Sequence, residues 1–196
     1  GVICQLWRAI AGNKPGVITK VGLRTFVDPR LEGGKITSIT REDLVQLIEI
    51  NGEEWLLYKK FPIDVAIIRG SVADENGNLT MDREMCILEA LPLAMAAKNS
   101  GGIVLAQVEH IAKTGTLHPK AVRVPGALID YVFTAKPENH MQTQQTYFNP
   151  AFAGDIKVPV ESIPPLPLDA KKIIARRAAV ELVPNSIINL GVGIPT

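Results

Sequence analysis

Apolar residues Ile3, Leu6, Trp7 and Ile10 recur at helical spacing, which predicts an amphipathic helix over Gly1 to Ala11. Asn13-Lys14-Pro15-Gly16 ends it. Val17 to Val21 reads as a short strand, and Gly22 to Gly34 as a loop rich in Gly and Pro. "LVQLIEI" and "EEWLLYK" flank Asn51-Gly52, the pairing of strands and turn expected of a hairpin over Leu44 to Lys60. Val65-Ala66-Ile67-Ile68 is continuously apolar, the pattern of a central strand covered on both faces. Leu79 to Met81 resumes extended structure after a turn at Asp74 to Asn78.

A helix is predicted from Glu84 to Asn99, with Pro92 kinking or splitting it. Ser100-Gly101-Gly102 then feeds a buried strand, Ile103 to Val108. Helix, short Gly turn and apolar strand form the crossover unit of a parallel sheet. A further strand fits Ala127 to Thr134. The polar stretch from Ala135 to Asp155 is poorly patterned, and a loop of that length is usually functional or packed on a partner.

Four prolines between Ile156 and Leu168 make a stiff linker. Asp169 caps a helix running to Leu182. Ser186 to Leu190 then reads as a strand entering Gly191-Val192-Gly193. The fold class is therefore α/β, an open and mostly parallel sheet with flanking helices, followed by the start of a second similar unit. The expected domains are residues 1–155, a linker over 156–168, and 169–196 as a truncated second half. One helix, one strand and one turn cannot bury their own faces, so the chain is expected to be a piece of a longer protein.

The 196 residues carry 21 basic and 20 acidic side chains, net +1, with 46% hydrophobic residues. That balance argues against nucleic acid as a partner, and no apolar run approaches a membrane span. The first eight residues lack a signal-peptide layout. Cys4 and Cys86 are too few for a disulfide framework or a metal cluster; inert core thiols in a reducing cytoplasm are the expectation.

Backbone N–H groups of Gly191-Val192-Gly193 could hold an anion or a developing oxyanion, or simply make a tight strand-to-helix turn. Asp74-Glu75-Asn76-Gly77-Asn78 has the wrong spacing for a calcium loop and reads as an Asx-rich turn. His110, His118 and His140 do not sit at metal-ligand spacing, and no metal is expected. Asp28 and Arg30 flank Pro29, either as a salt bridge bracing the loop or as part of a pocket lining.

Taken in order, "GVICQLWRAIAG", "GLRTFVDPRLEGGK", "DVAIIRGSVADENGNLT", "AMAAKNSGGIVLAQVE" and "NLGVGIPT" resemble the middle of a family I coenzyme A transferase of the acetate, propionate or acetoacetate type. The resemblance implies two packed α/β halves with the active site between them. It implies a short-chain acyl-CoA:carboxylate CoA-transferase working through an acyl-glutamyl anhydride and a glutamyl-CoA thioester. Coenzyme A would be substrate and covalent intermediate, with no resident cofactor. Partners would be an acyl-CoA and a short-chain carboxylate in a cytoplasmic homo-oligomer.

The family's glutamate lies downstream of the Gly-x-Gly-Ile-Pro loop, so it is expected beyond Thr196 and the 196 residues alone are expected to be inactive. Gly191, Val192 and Gly193 match its oxyanion and CoA-binding loop. Thr25, Phe26 and Asp28 match a segment lining the acyl side, and Gly1 matches the glycine of a Gln-Gly pair. Glu84 and Glu89, placed in a helix, and Glu109, at a strand end, are read as structural. Two alternatives stand beside transfer. One is acyl-CoA hydrolysis on the same scaffold; the other is a sensor module binding a sugar phosphate or another effector.

Overall fold

The computed structural model describes residues 1–191 and residue 193. They fall in two compact units, Gly1–Ile156 and Lys157–Thr196. Helix α1 spans Val2–Ala11 and buries Leu6, Ala9 and Ile10, the apolar stripe of the pattern. It stops where Asn13 turns to φ 52° and Lys14 N–H donates to the Ala9 carbonyl at 2.8 Å. Strand β1 (Gly16–Thr19) pairs antiparallel with the hairpin of β2 (Val45–Ile50) and β3 (Glu53–Lys59), in the order β1-β3-β2. The hairpin turns at Asn51 and Gly52, both with positive φ (53° and 77°), as a type I′ turn requires.

The remainder of this unit runs β4 (Val65–Arg69), β5 (Val72–Asp74), β6 (Leu79–Thr80), α2 (Ala90–Asn99), β7 (Ile103–Val108), β8 (His110–Ala112), β9 (Val122–Val124) and β10 (Tyr131–Thr134). Strands β10-β7-β4 form a parallel sheet, and β8-β5-β6-β9 a smaller mixed one. The α/β class stands. With the hairpin sheet antiparallel and the small sheet mixed, only the β10-β7-β4 sheet is wholly parallel among the described residues. The three- and two-residue strands β5, β6, β8 and β9 are too short to leave a periodic signal.

The core lies between α2 and the parallel sheet. Ala94 and Ala97 pack with Ala66, Ile68, Val104, Ala106 and Val108, all buried. Small alanines let the helix approach the strands closely. The opposite face of the sheet is open among the described residues. Val65, Ile67, Ile103, Tyr131 and Phe133 are exposed there, and among the described residues β4 is an edge strand rather than a central one. The continuous apolar run therefore did not place β4 inside the sheet.

Pro92 does not kink a helix. Residues 84–89 are loop, and Pro92 sits in the first turn of α2, where its missing N–H has no intrahelical partner to lose. Glu84 and Glu89 consequently precede the helix. Cys86 is exposed and Cys4 only part-buried, so neither is a core thiol. Helix α3 (Pro150–Ala153) is capped by the Asn149 side chain, which accepts from Ala151 N–H at 2.9 Å.

In the second unit α4 spans Ala170–Ala179, and Asp169 Oδ1 accepts from Lys172 N–H at 2.9 Å, as the cap signal predicted. Residues 180–191 form no strand, contrary to the expectation for Ser186 to Leu190. A strand exists only with a partner for its backbone groups, and none pairs with this stretch among the described residues.

Candidate functional site

Open parallel sheets place reactive groups at the carboxyl ends of their strands. Here Arg69 closes β4, and its Nε lies 3.0 Å from Glu84 Oε2 while Nη1 donates to the Met141 carbonyl at 2.6 Å. His140 is buried beside them, its Nε2 3.5 Å from Glu84 Oε1. Its Nδ1 lies 3.1 Å from Gln107 Nε2, which also donates to the Asn139 carbonyl at 3.0 Å. An amide NH₂ can only donate, so Nδ1 is assigned as acceptor and the ring proton falls on Nε2, facing Glu84. Burial is the main force lowering the His140 pKa; Arg69 adds to it, and Glu84 and Glu109 oppose it.

A second cluster follows β7. Glu109 accepts from the Tyr147 hydroxyl and pairs with Arg83 Nε at 3.0 Å. Burial pushes the Glu109 carboxyl up, but Tyr147, Arg83, His110 and His140 outweigh it and hold it below the ordinary value. The Arg83 guanidinium stacks 3.8 Å over Phe148. Gln142 ties the two clusters together: Nε2 donates to the Arg83 carbonyl at 2.8 Å, and Oε1 accepts from Asn149 N–H at 2.7 Å. The polar stretch 139–149 is thus strapped across the strand ends. Beside it opens a cavity of about 360 Å³, walled by Trp7, Met81, Met85 and Leu93, with Arg69, Glu84 and Gln142 at its polar end.

The sequence-selected loop lies on the hairpin sheet. Asp28 is 1% exposed. Its carboxylate accepts from Arg24 N–H (2.8 Å) and Arg30 N–H (3.1 Å), and from Arg30 Nε (3.0 Å) and Nη2 (2.8 Å). The Arg30 side chain, then the Arg24 amide, hold Asp28 far below the usual carboxylate range. Asp28 therefore braces its own loop. Thr25 Oγ1 donates to the Gly22 carbonyl at 2.7 Å, whereas Phe26 is exposed.

Gly191 and Gly193 are exposed in the second unit, and Val192 lies outside the described residues. Gly1 occupies the N-cap of α1. Asp74 makes the Asx turn that its spacing predicted, accepting from Asn76 N–H at 3.0 Å and Asn78 N–H at 2.9 Å. His118 caps a short turn through Lys120 N–H at 3.1 Å. No group of metal-ligating side chains occurs among the described residues, and no helix there is long and apolar enough to cross a membrane.

Sequence reasoning did not find the buried His140–Glu84–Arg69 cluster. Its members come from residues 69, 84 and 140, with no local spacing to mark them. The one available signal was the length and polarity of the 135–155 stretch.

Comparison with known proteins agrees with the resemblance. A family model described as Coenzyme A transferase matches residues 1–135. The chain is 59% identical over 197 residues to the caffeate CoA-transferase of Acetobacterium woodii, covering 100% of this chain and 38% of that protein. It is 41% identical over 194 residues to the acetate CoA-transferase YdiF of Escherichia coli (strain K12), covering 99% of this chain and 36% of that one. The crystal structure of the E. coli O157:H7 acyl-CoA transferase YdiF in its thioester complex with CoA superposes with a TM-score of 0.86 at 41% identity, over 98% of this chain and 38% of that one. The chain thus spans little more than a third of the length of the relatives it matches.

Proposed function

The chain belongs to the coenzyme A transferase family, and from that premise we propose that it serves a short-chain acyl-CoA:carboxylate CoA-transferase. The observation that carries this reading is the high identity to a CoA-transferase along the chain's whole length. In the proposed reaction a glutamate carboxylate, supplied by the transferase polypeptide outside these residues, attacks the thioester carbonyl carbon. The C–S bond breaks, CoA leaves as thiolate, and an acyl-glutamyl anhydride remains. The thiolate then attacks the glutamyl carbonyl, releasing the donor acid and leaving an enzyme–CoA thioester. An acceptor carboxylate runs the same steps in reverse, so the thioester's energy is conserved.

Each tetrahedral state carries an oxyanion that needs donors already in place. We assign one set to the backbone amides of Gly191, Val192 and Gly193. Residues 1–155 form most of the first half, 156–168 the linker, and 169–196 the opening of the second half. Phe26, exposed on its braced loop, is the member of Thr25, Phe26 and Asp28 best placed to touch an acyl group.

The test uses the polypeptide that carries these 196 residues. Acetyl-CoA with a short-chain acid should yield the new acyl-CoA and a mass increase of one CoA on a glutamate. Free CoA released equally with and without the acid would instead establish hydrolysis. A second reading rests on the relative of higher identity, which is named for caffeate: the acceptor would be an arylpropenoic acid. Caffeate outcompeting propionate as acceptor would select it. The 196 residues alone should show no transfer.

A further inference from the structure

We propose that the small cavity under the 139–149 strap is a built site for a single buried water, which accepts from His140 Nε2–H and donates to Glu84 and Glu109. The cavity gives a water's centre about 10 Å³ to occupy. That is room for one water and for no larger ligand. Its walls come from stretches far apart in sequence: Arg69 at the end of β4, Arg83 and Glu84 after β6, Glu109 after β7, and His140 and Tyr147 from the strap. All of them belong to the unit Gly1–Ile156. His140 is sealed by that unit itself, so further polypeptide can cover the site but does not create it.

One atom of the wall calls for an occupant. Tyr147 donates to Glu109, Arg83 Nε pairs with Glu109 at 3.0 Å, and Arg69 Nε pairs with Glu84 at 3.0 Å. His140 is only 4% exposed, and its Nε2 has no hydrogen-bond partner among the described residues. Glu84 Oε1, at 3.5 Å, is too distant for a strong bond. Gln107 Nε2 lies 3.1 Å from Nδ1 on the other side of the ring, which leaves the ring proton on Nε2. Burial, then Arg69, lowers the His140 pKa and keeps the ring neutral at neutral pH. A sealed N–H with nothing to donate to is costly, and such groups are met by a protein acceptor or an ordered water.

Charge selects what fits. The guanidiniums of Arg69 and Arg83 balance the carboxylates of Glu84 and Glu109, so the neutral imidazole faces walls without net charge. His110 reaches Glu109 Oε1 at 3.6 Å but is largely exposed and stands outside the cavity wall. A cation would meet two guanidiniums and an N–H donor; an anion would meet two carboxylates. The occupant must be neutral, accept one hydrogen bond and donate to carboxylate oxygens, which have lone pairs to spare. Water does this with three partners, the usual complement of a buried water. It would join the strap, through His140, to the segments that follow β6 and β7.

The tests need no transferase activity. Long-range nitrogen NMR of the 196-residue chain at neutral pH should find the His140 proton on Nε2; a proton on Nδ1, or on both nitrogens, overturns the proposal. Water-oxygen relaxation dispersion counts long-lived internal waters. His140→Leu, which has no donor, should lose one such water relative to the parent chain, whereas His140→Gln, which keeps an N–H, should retain it. The Val104 and Val108 amides report in each variant that the core is intact. Equal dispersion in the parent and His140→Leu, or the same loss in His140→Gln, overturns the proposal. A crystal structure of the unaltered transferase polypeptide decides the matter without any variant. It should show a water within hydrogen-bond distance of His140 Nε2 and of a Glu84 or Glu109 oxygen; an empty cavity, or a protein atom bonded to Nε2 in its place, is the contrary result.

Discussion

His140 Nε2 lies 3.5 Å from Glu84 Oε1, with both side chains almost sealed from water. That separation is too long for a strong hydrogen bond, and Nε2 finds no other partner among the described residues. A neutral imidazole fits the arrangement, because Arg69 already neutralises Glu84. Since the folded-state pKa is lowered from 6.5, the unfolded chain binds a proton first as pH falls. The stability due to neutral His140 is complete above pH 6.5 and is lost on acidification from there toward the lower folded-state value. Thermal melts against pH should decline below about 6.5, and His140→Gln should flatten that part of the curve. A wild-type curve level down to pH 5 would contradict the neutral assignment.

Tyr147 and Glu109 form the complementary case. The Tyr147 hydroxyl helps hold the Glu109 carboxyl down, and Glu109 in turn raises the tyrosine. Tyr147→Phe should move the Glu109 carboxyl titration, followed by NMR, toward higher pH. Because a depressed carboxylate stabilises the fold above its unfolded pKa and ceases to do so as pH falls through the folded value, the variant should lose stability at neutral pH but not in strong acid.

Asp28 collects four donors from Arg24 and Arg30 within its own loop. Asp28→Ala should release the loop, exposing the Arg24–Thr25 and Arg30–Leu31 bonds to trypsin while α2 and the parallel sheet stay protected. If the loop touches the acyl group, Phe26→Ala in the transferase should raise KM for the acyl donor without that gain in proteolysis. Equal cleavage of wild type and Asp28→Ala would show that the bracing is not what orders the loop.

Legibility followed the range of the interactions. Helix α1, the Asn51-Gly52 hairpin, the Asp169 cap and the Asx turn at Asp74 rest on contacts within a few residues, and their signals were readable. The edge position of β4 and the loop at 84–89 depend on neighbours distant in sequence. An apolar run reports burial potential, not the number of strands available to cover it. His140 is the clearest loss: nothing local distinguishes it from the exposed His110 and His118. The family was legible through the order of several weak segments, and that order survives where no single motif is decisive.

Gly126 is held against the Asx turn through its own N–H. Its N–H donates to Asn78 Oδ1 at 3.0 Å, and Asn78 is itself clamped by Asp74 through two hydrogen bonds of 2.9 Å. A Cβ on Gly126 would lie 1.9 Å from the Asn76 carbonyl oxygen and 3.0 Å from Asn78 N. Neither is a flexible side-chain end, so the turn and the approach to β10 cannot both persist. Gly126→Ala should cost about 3 kcal/mol or more in denaturant unfolding. Gly101→Ala meets no atom within 4 Å and serves as the control; with φ at +78°, it should cost only about 1 kcal/mol. Equal losses in the two variants would mean that chain conformation, and not the packing of this turn against residue 126, dominates both sites.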